Sequence, residues 1–207
     1  IKGASAGSGA VLMMAVTNLE NGQFSDAVGE AILNDTSVQD VLLDHIIEAA
    51  GEYGFQDIHF DFEYLRPEDR EPYNAFLKKA AQRLHAERLL ISTALAPKTS
   101  ASQTGQWYTA HDYRAHGEIV DFVVIMTYEW GYSAGPPMAV SPIGPVRQVL
   151  EYAKTEIPAN KIMMGQNLYG YDWTLPFVKG GAYARAISPQ TAISLARENH
   201  AFIEYDY

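Results

Sequence analysis

The sequence predicts an α/β fold in which helices cover a parallel β-sheet. Strand-like and helix-like segments alternate along the chain roughly five times. Most of the strand-like segments are continuous apolar runs, as expected for strands buried on both faces of a parallel sheet. No Gly-x-Gly-x-x-Gly pattern follows any of them, which disfavours a dinucleotide-binding fold. A closed (β/α)8 barrel and an open doubly wound sheet both fit this order of elements.

The first half of the chain contains three predicted strands, at residues 11–16, 58–64 and 89–95. Between the first two, apolar residues have helical spacing from Phe24 to Gly51. The polar segment 34–37 interrupts this spacing and supplies a new N-cap. Pro67 opens a further helix that extends through Arg83, because proline is favoured in the first helical turn.

The second half contains two more predicted strands, at residues 119–128 and 162–168. A helix is predicted between them at 141–155, and another at 189–199. The last residues, from Phe202 to Tyr207, are predicted to form a short strand-like segment.

Composition excludes several classes of function. The net charge is −10, so the surface repels nucleic-acid phosphates and anionic membranes. The absence of cysteine excludes disulfides, thiolate zinc sites and a cysteine nucleophile. No apolar run reaches the roughly 18 residues of a transmembrane helix. We therefore expect neither a nucleic-acid partner nor a membrane partner.

The predicted strand at Asp57–Tyr64 differs from the others because polar and apolar residues alternate in it. Side chains point alternately to the two faces of a strand. One face therefore carries Asp57, His59, Asp61 and Glu63, and the other carries Ile58, Phe60, Phe62 and Tyr64. Such alternation is most often found in a strand with one solvated face. The strand candidate at 120–125 is apolar on both faces, however, so no water-facing side is expected here.

Burying three acids and a histidine on one face costs several kcal/mol unless they are paired. Successive residues on that face lie roughly 6.5–7 Å apart at Cα, close enough for carboxylates to change each other's pKa. One carboxyl that stays protonated beside a charged neighbour is what a general acid requires. The polar face is therefore a candidate catalytic site.

The chain resembles glycoside hydrolase family 18, the chitinase-like (β/α)8 TIM barrels, in several separate segments. Asp61-Phe62-Glu63 looks like the end of that family's D-x-x-D-x-D-x-E signature, and Met126-Thr127-Tyr128 resembles its M-x-Y motif on the sixth strand. Residues 165–170 are similar to its seventh-strand segment. Residues 54–64, 92–98, 127–132 and 168–176 are most similar to one bacterial branch, the spore cortex peptidoglycan N-acetylglucosaminidases.

The resemblance implies that residues 1–207 form part of a catalytic barrel, containing about strands three to seven. Residues 171–207, approximately, would be the small insertion after strand seven. Members of this branch usually carry LysM modules upstream, and none is present in the 207 residues. We therefore expect the chain to be a fragment of a longer protein.

The resemblance also implies the catalytic residues. Glu63 would be the general acid and then the base, Asp61 would stabilise the acetamido group and the oxazolinium charge, and Tyr128 would position the acetamido oxygen. Two departures from the signature are His59 in place of its middle Asp, and Gln56-Asp57 in place of its first Asp-Gly pair. His59 could donate a hydrogen bond to Asp61, or it could be a packed histidine without a catalytic role.

Residues that follow the predicted strands are candidates for substrate binding. Sugar rings stack on aromatic faces, which makes Trp130, Tyr169 and Trp173 candidates, although core packing is the alternative for each. Polar side chains that could bind sugar hydroxyls are Asn18, Glu129, Gln166 and Asn167. In a barrel, the carboxyl ends of the strands form the active face. His59 is included with these substrate-binding candidates.

No metal or cofactor is expected. His111, Asp112 and His116 are close in sequence, but a spacing of five does not place both histidines on one helix face, and no further ligand is evident. Neither a phosphate-binding G-x-x-x-x-G-K loop nor a G-x-S-x-G nucleophile motif is present.

The resemblance implies hydrolysis of N-acetylglucosamine linkages in spore cortex peptidoglycan during germination, by a monomer located in the spore coat or cortex or secreted. Hydrolysis of other N-acetylglucosamine glycans, as by a chitinase, is a second possibility. A non-catalytic carbohydrate-binding barrel is a third, and the intact Glu63 argues against it. A fragment whose open sheet leaves it inactive is a fourth.

Overall fold

The structure is a computed structural model that describes residue 3 and residues 7–204. Two compact units are distinguished by their internal contacts. The first lies within residues 1–125 and 151–163, and the second within residues 126–150 and 164–207. The main sheet and most of the helices belong to the first unit.

The strands, numbered in chain order, are β1 (Met13–Thr17), β2 (Leu19–Glu20), β3 (Gln23–Phe24), β4 (Asp57–Asp61), β5 (Leu90–Leu95), β6 (Phe122–Ile125), β7 (Ile162–Met164), β8 (Gly170–Asp172) and β9 (Arg185–Ile187). The helices are α1 (Asp26–Leu33), α2 (Thr36–Tyr53), α3 (Arg70–Ala86), α4 (Tyr113–Ile119), α5 (Ile143–Glu156) and α6 (Pro189–Glu198). Short 3-10 helices span Pro67–Asp69 and Ala159–Lys161.

The main sheet contains five strands in the order β1-β4-β5-β6-β7. The pairs β1–β4, β4–β5 and β5–β6 are parallel. Each later strand is added on the same side of the sheet, without the reversal of order that defines a doubly wound sheet. The parallel sheet predicted from the sequence is confirmed, and its strand order is that of an incomplete (β/α)8 barrel.

Helix α3 covers the apolar face of β4 through a cluster of four aromatic rings. Phe60 and Phe62 meet Phe76 of this helix, at ring-centroid distances of 5.2 and 6.0 Å, and Phe62 stacks on Tyr73 at 5.6 Å. All four side chains are at most 1% exposed. Since the aromatic residues of β4 face the helix, the alternating polar residues must face the other side of the sheet.

Strand β4 ends earlier than expected. It stops at Asp61, and Tyr64 has a left-handed backbone with φ of 54°. Tyr64 is 43% exposed and does not continue the buried apolar face, so its predicted place on that face beside Ile58, Phe60 and Phe62 is wrong. Glu63, two residues after the strand, remains buried at 8% exposure. The strand thus ends at the first of the two carboxylates, Asp61, and the turn at Tyr64 follows directly after the second, Glu63.

Several other elements differ from the sequence prediction. Helix α4 was not expected. Its N-cap is Asp112, whose side chain accepts a hydrogen bond from the Ala115 amide at 3.1 Å. Strands β6 and β7 are shorter than the predicted 119–128 and 162–168, and Leu168 is 81% exposed. Residues 202–204 are not a strand, and the rest of the predicted terminal strand lies outside the described residues.

No helix in the described part of the chain is long and apolar enough to cross a membrane.

The aromatic cluster gives a prediction about stability. We expect Phe76→Ala in the full-length protein to lower the free energy of unfolding by about 3–5 kcal/mol, because it removes a buried ring and leaves a cavity. Urea unfolding measures the change. Val41→Ala, at a position on α2 that is 55% exposed, is the control and should change stability by less than about 0.5 kcal/mol. Equal effects of the two substitutions would show that the cluster does not support the sheet.

Candidate active site

Two acidic side chains lie at the carboxyl end of β4, which is the end of the main sheet where its parallel strands finish. Asp61 is the last residue of the strand and Glu63 follows it after one residue. The pairing of Thr17 with Asp61 brings the end of β1 alongside. These carboxyl groups lie opposite the aromatic cluster, so their position follows from the packing of the apolar face.

Asn18 holds the backbone of Glu63 from the end of β1. Its Oδ1 accepts a hydrogen bond from the Glu63 amide at 2.9 Å, and its Nδ2 donates to the Glu63 carbonyl at 2.9 Å. Nδ2 also donates to the Ser25 carbonyl at 2.9 Å. The side chain is fully buried. Asn18, which we predicted to bind sugar hydroxyls, is placed here as a backbone clamp on the candidate acid.

Close packing around this clamp requires a glycine. Gly29 of α1 lies so near that a Cβ atom there would be 2.4 Å from Leu65 Cδ2 and 3.6 Å from Asn18 Nδ2. A side chain would push α1 away from the clamp, because Leu65 is itself buried at 1% exposure.

The Glu63 carboxyl group lies in surroundings that favour its protonated form. Burial raises its pKa to about 7, and the nearby charge of Asp61 adds to the increase. Its Oε2 accepts a hydrogen bond from the indole Nε1–H of Trp107 at 2.5 Å, which opposes the increase by favouring the carboxylate. A carboxyl group whose pKa is near neutrality can donate a proton and take one back.

Asp61 is the second carboxyl group of this site. Its Oδ1 is buried and has no hydrogen-bond partner among the described residues. Burial raises its pKa above the ordinary value of an aspartate. A buried acceptor without a donor costs free energy, so an N–H group from a bound molecule would be stabilised there.

His59 belongs to a hydrogen-bonded chain deeper on the same face. Its Nδ1 lies 2.9 Å from Ser92 Oγ, and Ser92 Oγ donates to the Asp57 carboxyl at 3.0 Å. Burial lowers the pKa of His59 to about 4, so the ring is neutral near pH 7. Of the two alternatives for His59, the hydrogen bond to Asp61 does not occur among the described residues. The observed chain instead joins β4 to β5, because Ser92 pairs with His59 across these strands.

His111 ties the ends of β4 and β5 together. Its Nδ1 accepts a hydrogen bond from the Ala96 amide at 2.8 Å, and its Nε2 donates to the Phe62 carbonyl at 2.8 Å. Burial lowers its pKa to about 4. Both ring nitrogens are used by the backbone, so neither is free for a metal. In the part of the chain that the structure describes, no three His, Cys, Asp or Glu residues are arranged to hold a metal ion.

The second unit has its own cluster of polar and aromatic side chains, centred on Glu129. Its carboxylate accepts hydrogen bonds from the hydroxyls of Tyr169 and Tyr171, the latter at 2.9 Å. Burial, assisted by this carboxylate, raises the pKa of Tyr171 to about 12 and that of Tyr169 further. Glu129 has a left-handed backbone with φ of 67°. The tyrosine hydroxyls therefore hold Glu129 in place.

The remaining candidates of the second unit are partly accessible. Tyr128, Trp130 and Trp173 are half-buried, and the Trp173 indole donates to the Gly135 carbonyl at 2.9 Å. Its ring meets that of Tyr171 at a centroid distance of 5.6 Å. The backbone of Trp130 bonds to the Val140 carbonyl at 3.1 Å, which closes the loop that follows Tyr128.

Gln166 and Asn167 line a cavity of about 210 Å³ in the second unit, together with Thr127, Ser141, Ile143, Val146, Met164 and Gly165. Asn167 Oδ1 accepts from Ser141 at 2.7 Å, and its Nδ2 donates to the Tyr169 carbonyl at 2.6 Å. Asn167 is thus satisfied by the protein itself. Gln166 is exposed.

Residues 5–203 match the protein family "Glycosyl hydrolases family 18". The chain belongs to glycosyl hydrolase family 18. The five-stranded parallel sheet and the acidic residues at the carboxyl end of β4 are consistent with this family.

Individual relatives of this family 18 chain agree with the assignment. The "Cortical fragment-lytic enzyme" of Bacillus subtilis (strain 168) is 70% identical over 195 residues, which are 94% of this chain and 45% of that protein. The crystal structure of the Bacillus megaterium QM B1551 spore cortex-lytic enzyme SleL has a TM-score of 0.95 and 61% identity, covering 99% of this chain and 47% of that one. A chitinase from Chromobacterium violaceum ATCC 12472 has a TM-score of 0.89 and 25% identity, covering 99% and 63%. The family 18 chain spans about half the length of the curated relatives that it matches most fully.

Sequence reasoning did not find the residues that position Glu63. Trp107 and His111 lie 44 and 49 residues from their partners on the β4 segment, and neither is part of a motif that indicates such a contact. Asn18 is the exception in part, because it directly follows a predicted strand. That position places it at the carboxyl end of the sheet, but it does not indicate that its partner is the Glu63 backbone.

The Asn18 clamp gives a prediction about stability. Asn18→Ala in the full-length protein removes both hydrogen bonds to the Glu63 backbone and leaves buried groups unsatisfied. We expect the free energy of unfolding to fall by about 1–3 kcal/mol for such a loss, as measured by urea unfolding. Asn160→Ala, the same substitution at an exposed position of a 3-10 helix, serves as the control. Unchanged stability of the Asn18 variant would contradict the clamp.

Proposed function

We propose that this chain provides acid–base residues for the hydrolysis of N-acetylglucosamine linkages in spore cortex peptidoglycan. The observation that carries the proposal is the buried Glu63, whose pKa is raised to about 7 beside the second carboxyl of Asp61. The substrate is inferred from relatives named for the lysis of cortical fragments and of the spore cortex. We infer from the same names that the protein acts at the spore cortex.

The proposed reaction is substrate-assisted retention. Glu63 gives its proton to the glycosidic oxygen as the bond from that oxygen to the anomeric carbon breaks. The acetamido oxygen of the same sugar forms a bond to the anomeric carbon, which yields an oxazolinium ion. The Glu63 carboxylate then takes a proton from water, and the water oxygen displaces the acetamido oxygen. The anomeric configuration is retained because the carbon is attacked twice.

Asp61 and Tyr128 have supporting roles in this proposal. The buried Asp61 Oδ1, without a donor among the described residues, would accept the acetamido N–H and stabilise the positive charge that develops on the ring. Tyr128, by its position in the Met126-Thr127-Tyr128 motif, would donate its hydroxyl to the acetamido oxygen. Trp130, Tyr169 and Trp173 are proposed to contact sugar rings, and Glu129, Gln166 and Asn167 to contact or orient polar sugar groups. His59 is proposed to shape the inner end of the site, because Ser92 already uses its Nδ1.

The role of Glu63 predicts a large loss of activity in Glu63→Gln. The amide has the shape of the carboxyl group but cannot transfer the proton, so we expect kcat of the full-length protein on purified cortex fragments to fall by about 10²–10⁴-fold. The same substitution at the exposed Glu48 of α2 is the matched control and should leave kcat unchanged.

Parallel assays on chito-oligosaccharides decide the substrate class. Activity on chito-oligosaccharides alone would favour a chitinase, the function named for the Chromobacterium relative. Sugar binding without hydrolysis by the wild type would favour a carbohydrate-binding barrel, and an undiminished rate in Glu63→Gln would refute the catalytic assignment.

The raised pKa of Glu63 predicts the pH dependence. The group must be protonated to act as an acid, and its pKa is about 7 in the folded protein against 4.5 for an ordinary glutamate. We therefore expect kcat/KM to be constant on the acidic side of pH 7 until a second group titrates, and to fall about tenfold per pH unit above it. A steady-state pH profile measures this limb. A fall that begins near pH 4.5 would show that burial does not protect the proton.

A further inference from the structure

We propose that Trp107 is a positioning residue for Glu63, which holds Oε2 through its indole N–H and thereby makes Oε1 the oxygen that delivers and recovers the proton. This inference rests on the proposed function and specifies which atom of the acid reacts. It assigns to Trp107 a task other than contact with a sugar ring.

The contact that carries the proposal is a direct hydrogen bond. Trp107 Nε1 lies 2.5 Å from Glu63 Oε2, and Glu63 is buried, with 8% of the residue exposed. An indole nitrogen is a donor only and cannot accept the proton of a carboxylic acid. The oxygen that faces the indole must therefore be an acceptor in both protonation states, so the acidic proton is placed on Oε1.

The loop around Trp107 is fixed well enough to orient the indole. A turn at Gly105 is closed by hydrogen bonds from the Tyr108 and Thr109 amides to its carbonyl, both at 2.9 Å. Gln106 Nε2 donates to the Tyr64 carbonyl at 3.3 Å. The Trp107 ring stacks on that of Tyr64, with centroids 6.1 Å apart and planes 10° from parallel. Stacking restrains the plane of the indole, and therefore the direction of its N–H.

The loop between β5 and α4 has further anchors. His111 follows the turn and bonds to the Phe62 carbonyl, one residue before Glu63. Tyr113 Oη donates to the Ala96 carbonyl at 2.7 Å and accepts from the Lys98 amide at 3.0 Å. The loop between β5 and α4 is thus tied at its beginning and its end, and Trp107 is held against the residue that it orients.

The hydrogen bond has a defined electrostatic consequence. A donor at a carboxylate stabilises the charged form more than the neutral form, so Trp107 limits the increase in pKa that burial and Asp61 cause. Without the donor, Glu63 would retain its proton to higher pH and release it less readily. The indole therefore keeps the pKa of the acid close to neutrality, where one group can serve as acid and base in turn.

The first test is the pH profile of Trp107→Phe in the full-length protein, assayed on cortex fragments. Phenylalanine keeps an aromatic ring beside Tyr64 but lacks the donor. We expect the basic limb of kcat/KM to move to higher pH by about one to two units, the size expected for a hydrogen bond to a charged group. Tyr108→Phe is the matched control, because it alters the neighbouring ring, 5.4 Å away, and leaves the indole in place. If Trp107→Phe lowers kcat/KM at every pH but does not change the pH at which kcat/KM begins to fall, Trp107 is a packing residue only. That result would overturn the proposal.

The second test does not depend on hydrolysis. In protein labelled with 15N-tryptophan, the indole resonance of Trp107 is identified by its loss in Trp107→Phe. We expect this resonance to titrate with a midpoint near pH 7 in the wild type, where Glu63 ionises, and to show no such titration in Glu63→Gln. An indole that does not titrate in the wild type would overturn the proposal, even in an active enzyme. Coupling of the two groups in a protein that hydrolyses nothing would support the hydrogen bond that orients Glu63 while refuting the proposed function, and with it the delivery of the proton by Oε1.

Discussion

The packing of Phe60 and Phe62 against α3 is the constraint on which the candidate site depends. Because these rings are buried on one face of β4, the alternation of the strand assigns the other face to Asp57, His59 and Asp61. The acidic side chains are consequently held at the carboxyl end of β4, largely shielded from water, and burial there raises the pKa values of Asp61 and Glu63. An apolar contact thus creates the electrostatic property that acid–base chemistry requires.

Hydrogen bonds from neutral groups, rather than ion pairs, hold the candidate catalytic groups of the first unit. Asn18 fixes the Glu63 backbone, Trp107 contacts its carboxyl group, and His111 bonds the preceding carbonyl. Among the described residues, the ion pairs with distances up to 4.0 Å involve neither Asp61 nor Glu63. A nearby lysine or arginine would lower the pKa of either carboxyl group, so neutral donors are compatible with a protonated acid where cations would not be.

The sequence predicted those parts of the fold that depend on local periodicity. The alternation at Asp57–Glu63 identified β4 and its polar face, and the apolar runs identified the other four strands of the main sheet. It did not predict helix α4, which is only seven residues long and begins at the Asp112 cap. Nor did it predict the turn at Tyr64, because a left-handed backbone at a tyrosine is disfavoured locally and is imposed by tertiary contacts. The partners of Glu63 come from distant loops, and their contacts depend on the three-dimensional arrangement of β1, β4 and β5.

The double hydrogen bond of His111 sets a limit on acid tolerance. Its ring can bridge the Ala96 amide and the Phe62 carbonyl only while one nitrogen remains an acceptor. Its pKa is about 4 in the folded chain against 6.5 for an exposed imidazole, so the stabilisation is complete above pH 6.5 and is lost as the pH falls through about 4. Protonation of His111 would direct its Nδ1–H at the Ala96 N–H. The resulting loss of that hydrogen bond would loosen the connection between the ends of β4 and β5. A chain built on this bridge is thereby suited to neutral surroundings, and strong acid would loosen the contact that holds the backbone next to Glu63.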